Sequence, residues 1–134
     1  MIKDTYNDKS NEKVLHQEII QSILKISKKI RYAGIINKFG RTITGKLQNG
    51  IIPILTPEQA RDERYIESAR QHLRRSLEVS VGRSVFTIEK NENVTFLLIP
   101  DTSKDILYYI TIEKDTTLSE IDELMDSIKK IITN

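Results

Sequence analysis

Apolar residues at three- and four-residue spacing dominate the first thirty positions. Leu15, Ile19, Ile23, Ile26 and Ile30 recur on one stripe, with Lys25, Lys28 and Lys29 off it, which predicts an amphipathic helix over residues 11–30. Residues 1–10 are polar, lack the period and are expected to be a frayed tail. Past Ile30 the period drops to two. Residues 32–37 are rich in strand formers, Asn37-Lys38-Phe39-Gly40 suits a type I turn, and residues 41–47 alternate, so a β-hairpin is predicted. The connection Ile51-Ile52-Pro53-Ile54-Leu55 is apolar, but Pro53 argues against a central strand. Thr56-Pro57-Glu58-Gln59 carries a capping-box start for a second helix, expected to run to about Glu78 with Gly82 as its stop. Its apolar arc is Tyr65, Ile66, Ala69, Leu73 and Leu77.

Three strands fill most of the remainder. Residues 84–90 alternate and place Phe86 and Ile88 together, while residues 94–99 are almost continuously apolar, as a strand covered on both faces would be. After a polar loop over 100–105, residues 106–112 put Tyr108, Ile110 and Ile112 on one face and Leu107, Tyr109 and Thr111 on the other. Thr117-Leu118-Ser119-Glu120 is a second capping box, opening a helix striped by Ile121, Leu124, Met125, Ile128 and Ile131. The order is α-β-β-α-β-β-β-α. It predicts an α+β fold in one domain over residues 11–134: a single five-stranded, mostly antiparallel sheet flanked by three helices.

At 134 residues the chain is long enough to bury about two thirds of its unfolded surface without staples. It contains no cysteine, which removes disulfides, zinc–thiolate centres and thiol nucleophiles. No apolar run is long enough to span a membrane and the N-terminal residues lack a signal-peptide core, so the expected location is cytoplasmic. A formal net charge of +2 gives no reason to expect nucleic acid. The charge is nonetheless polarised, net +6 over residues 1–50 and net −4 over residues 81–134. Such a dipole can orient a partner or a second copy of the chain.

Candidate chemistry is sparse. Gly40-Arg41-Thr42-Ile43-Thr44-Gly45-Lys46 has the glycine and lysine spacing of a phosphate-binding loop. Leu47 replaces the magnesium-binding hydroxyl, however, and the alternation is that of a strand. His16 lies on the apolar side of the first helix and His72 on the polar side of the second, which makes a poor metal pair. Asp101 and Asp105 read as an ordinary turn, and no nucleophile elbow occurs. The arginines of the second helix, Arg61, Arg64, Arg70, Arg74 and Arg75, split onto two flanks with Glu63, Glu67 and Glu78 among them. That pattern fits a salt-bridged or interface helix better than a phosphate-reading one. No catalytic residue, metal or cofactor is expected.

Gly34-Ile35-Ile36-Asn37-Lys38-Phe39-Gly40-Arg41, the element order and the terminal helix together resemble a Roadblock/LC7-like (longin- and profilin-like) domain, over roughly residues 12–132. Ile30-Arg31-Tyr32-Ala33-Gly34-Ile35-Ile36 is also similar to a hairpin of small archaeal proteins. The Roadblock resemblance implies a non-enzymatic homodimer with an edge strand and the middle helix at its interface, serving as a scaffold or regulator of small GTPases. Ile52, Ile54, Leu55, Arg64, Tyr65, Leu73, Phe86 and Ile88 are the candidate interface residues. The alternative is a small-molecule sensor of PAS- or GAF-like type, with Arg31, Phe96, Tyr108 and Tyr109 as candidate pocket walls.

Overall fold

The computed structural model describes residues 2–133, with side chains described for residues 11–133. Helix α1 spans Ile2–Ile26 and is followed by strands β1, Ile30–Asn37, and β2, Thr42–Leu47. The frayed tail expected over residues 1–10 falls outside the residues with described side chains. Helix α2 covers Pro57–Arg74 and passes through a 3-10 turn, Arg75–Leu77, into the single-turn α3, Glu78–Val81. Strands β3, Thr87–Lys90, β4, Val94–Asp101, and β5, Ile106–Glu113, precede helix α4, Leu118–Thr133. No helix among the described residues is long and apolar enough to cross a membrane.

The sheet order is β2-β1-β5-β4-β3, and every neighbouring pair is antiparallel. β2 and β3 are therefore the edges, while β5 and β4, the strands without a polar face, lie inside. The predicted turn is present: the Gly40 amide donates to the Asn37 carbonyl at 3.0 Å, and the Asn37 side chain accepts from the Phe39 and Arg41 amides. Both capping boxes form, Thr56 with Gln59 and Thr117 with Glu120. Each satisfies amides that a helix start leaves without partners.

One sheet face is covered by α1 and α4. Ile20, Ile23, Ile35, Leu97, Ile110, Ile112, Ile121 and Ile128 meet there at 2% exposure or less, and this is the main core. The α1 stripe is rotated by about one position from the sequence expectation. Ile19, Ile20, Ile23 and Leu24 are buried, whereas Leu15 is exposed. Ile30 is not the end of that helix but the start of β1, because Ser27 accepts the Ile30 amide in a turn that frees the chain to pair with β5. His16 is buried as expected, and loss of solvation holds its imidazole below its ordinary pKa.

The opposite face carries a smaller cluster, Ile36, Val94, Phe96, Leu98, Leu107 and Tyr109, with Tyr32 against it. Helix α2 crosses this face and is held at the hairpin turn. Ser68 Oγ donates to the Lys38 carbonyl. Gly40, at φ +78°, lies so close to the helix that a Cβ there would stand 2.9 Å from the Arg64 carbonyl oxygen and 3.0 Å from the Tyr65 Cα. Backbone cannot yield as a side-chain tip can, and φ is already in the region that favours glycine. Gly40→Ala is therefore expected to lift α2 from the turn and to cost about 1–3 kcal/mol in denaturant unfolding.

Candidate functional site

Helix α2 is inverted relative to an ordinary surface helix. Its apolar arc turns to solvent: Tyr65 is 66% exposed, Leu73 72%, and Ile66 and Leu77 are also exposed. Its sheet-facing side is polar, with Glu67 and Ser68 buried and Glu63, Arg64 and Arg70 half-buried. Val79, Val81, Val85 and Phe86, in the stretch of chain that leads from α2 to β3, are exposed as well. Arg70 ties the two elements together, pairing with Glu67 at 3.3 Å on its own helix and with Glu89 of β3 at 3.0 Å. The Glu67–Arg70 pair was legible in the sequence; the direction it faces was not.

The proposed interface residues divide accordingly. Tyr65, Leu73 and Phe86 are exposed, Ile52, at 81% exposure, stands out from the 51–55 loop, and Ile54 is partly exposed while also lining the cavity beneath the loop. Phe86 also carries the Lys129 ammonium 5.3 Å from its ring centre. Ile88 instead packs against the main core, and Arg64 and Leu55 turn inward. The loop itself is pinned to the sheet by Arg31, whose guanidinium pairs with Glu113 at 2.9 Å and donates to the Ile52 carbonyl at 2.8 Å. Core closure and surface exposure are thus both present within five residues.

Under α2 lies a carboxylate pair that sequence reasoning passed over. Glu63 and Glu67 lie one helical turn apart beneath the helix, and Glu63 Oε1 and both Glu67 carboxylate oxygens are buried without a hydrogen-bond partner. Burial first, then the neighbouring Glu67 and Glu89 charges, push the Glu63 carboxyl up to about 7. Glu67 is also raised by burial, with Arg70 opposing. A single proton held between the two would resolve the conflict, with Glu67 keeping its ion pair with Arg70 at 3.3 Å. The nearby Tyr109 hydroxyl is driven upward by burial and then by the same two carboxylates. The readable signal was two glutamates four apart on the side opposite the apolar arc.

Between the 51–55 loop, the start of α2 and the second sheet face is a cavity of about 280 Å³. Arg31, Phe96 and Tyr109, three of the four expected pocket residues, line it. Tyr108 does not. Strand alternation sends it to the opposite face, where it is 1% exposed in the main core.

The remaining motifs carry no site. Residues 42–47 form β2, so no helix starts behind the G-x-x-x-x-G-K spacing. Asp105 pairs with Arg75 at 2.7 Å, and Asp101 accepts from Ser103 within the turn. Among the described residues there is no cluster of histidine, aspartate and glutamate fit to hold a metal.

No family model matches the chain, and no curated protein is similar to it in sequence. Solved structures are similar in fold. The gliding protein MglB from Thermus thermophilus superposes with a TM-score of 0.69 at 12% identity, over 88% of this chain and 85% of that one. MglB in a tetrameric arrangement gives 0.68 at 13% identity, with 88% and 85% covered. A Roadblock/LC7 domain from Streptomyces avermitilis gives 0.57 at 10% identity, with 87% and 96% covered. At such identities the likeness establishes the fold, which is Roadblock/LC7-like as the hairpin and terminal helix implied.

Proposed function

We propose that the chain is a non-enzymatic, homodimeric interaction module with a regulatory role, and that a small GTPase is the class of partner it serves. The observation that carries the reading is the inverted α2. A monomer gains nothing by turning Tyr65, Ile66, Leu73 and Leu77 to water while burying glutamates beneath them. A second copy covering that arc would account for the exposure. The β3 edge has unpaired backbone groups on its outer side, and pairing with its twofold copy would remove them. The tetrameric arrangement of one MglB structure of this fold supports self-association as a use of the scaffold. The GTPase part of the reading rests on the Roadblock/LC7 resemblance.

Tyr65→Asp and Phe86→Asp test the assembly reading. Each places a charge on the exposed arc or beside the edge strand, and sedimentation is expected to show single-chain mass for both. Unchanged dimer mass in the two variants would overturn the proposed interface.

A further inference from the structure

The cavity under the 51–55 loop contains a cation with no partner among the described residues. Two arginines reach it, and they differ. Arg31 is committed, held by Glu113 and by the Ile52 carbonyl. Arg64 is not. Its Nε is buried without a hydrogen-bond acceptor, and no salt bridge among the described residues includes it. Arg64 lines the cavity together with Tyr32 and Tyr109. A buried donor left without an acceptor is destabilising, so the Nε gains from an acceptor that enters the cavity.

Other walls narrow the choice of acceptor. Phe96, Val94, Ile54 and Leu55 make the lining mainly apolar. Water held here would find few of the two to four polar partners a buried water normally has. At about 280 Å³ the space is just below the range of drug-sized ligand pockets, roughly 300 to 1,000 Å³, which limits the occupant to a small molecule. The buried Glu63–Glu67 pair does not supply the missing counter-charge, because its ionised member is held by Arg70. Ring-sized apolar volume beside one unpaired guanidinium is complementary to a small organic acid.

We infer that this cavity is a binding site for a small carboxylate with an apolar body, its carboxylate taken by Arg64 and its body laid against Phe96 and Leu55. The Arg64 fork binds the anion by charge-assisted hydrogen bonds, beside the ring of Tyr109. The inference goes beyond the assembly reading and does not depend on it, since Arg64 faces away from the exposed arc.

The probes are phenylacetate, benzoate and hexanoate, each paired with its neutral amide and titrated into the full chain under NMR observation. Saturable shifts at Tyr32, Phe96, Tyr109 and Thr111 are expected for at least one acid, with its amide weaker by roughly tenfold or more. Arg64→Met is expected to abolish the difference between acid and amide while leaving the solution mass unchanged. Ala60→Leu fills the space with Arg64 intact and is expected to block binding, so it decides the matter if Arg64→Met folds poorly. Equal binding of acid and amide, absence of saturable binding by all three acids, or binding unaffected in both variants would each overturn the inference.

Discussion

Leu73→Asp is expected to leave the protomer folded and to remove its self-association. Leu73 is 72% exposed on a helix whose buried side is built from Glu67 and Ser68, so aspartate enters water and not a core. Exposed substitutions of this kind fall within about 0.5 kcal/mol of neutral for the isolated fold. The same change at a core leucine leaves a cavity and an unpaired charge, at a cost of about 4 kcal/mol or more. In the assembly a desolvated aspartate would face its own symmetry mate, and both charges would have to be buried or the contact broken. The expected readings are a native circular dichroism spectrum, single-chain mass, and a melting temperature that no longer varies with protein concentration. Loss of the folded signal would mean that the α2 arc faces a core and that its outward orientation is wrong.

Glu63→Gln is expected to make the protein more stable above neutral pH. The Glu63 carboxyl lies at about 7 in the folded chain, against an ordinary value of 4.5. A carboxyl raised on folding contributes stability fully below its unfolded pKa and loses that contribution as pH rises through the folded one. Wild-type stability attributable to this pair should therefore decline between about pH 4.5 and pH 7, as the second glutamate is forced to ionise beside the first. A shift of that size corresponds to about 3 kcal/mol for a fully buried group, and partial exposure of Glu63 reduces it to on the order of 1–2 kcal/mol. Glutamine preserves the shape and can donate to Glu67 as a protonated acid would. His16 changes stability in the opposite sense, since a histidine lowered on folding loses stabilisation as pH falls below about 6.5. The difference between wild type and variant isolates the pair, because His16 is common to both. A difference that grows from pH 5 to pH 8 is expected; one that stays flat would show that Glu63 ionises normally.

Local chemistry encodes most of the architecture. Period-two alternation identified β2, β3 and β5, strand-forming residues marked β1, two capping boxes located the starts of α2 and α4, and Asn37 with Gly40 marked the hairpin. Such signals are read within a few residues and need no knowledge of the rest of the chain. Helix α2 defeated the same logic for a physical reason. Periodicity shows that a helix has an apolar side, but not whether that side meets its own sheet or another molecule. Tyr65 and Leu73 have the spacing of core residues and lie in water, while Glu67, a surface residue by type, is 1% exposed.

Parity explains the mixed fate of the pocket residues. Phe96 and Tyr109 share a face because β4 and β5 pair Phe96 with Thr111 and Leu98 with Tyr109, whereas Tyr108 is one position out of phase. Alternation alone was enough to separate Tyr108 from Tyr109. Placing Arg64 above them was not readable, since it depends on α2 crossing the sheet with its polar side down. The regular α2 stops at Arg74, short of the expected Glu78, but helical turns continue to Val81 and Gly82, the expected stop, ends them at φ +83°.

The central claim is that the exposed face of α2 and the β3 edge join two copies of this chain. Light scattering behind a sizing column, repeated across micromolar concentrations and at two salt levels, measures it directly. The account predicts a mass of twice the 15.5 kDa chain that persists on dilution and in salt, because the proposed contact is apolar. A mass of one chain at every concentration would contradict it.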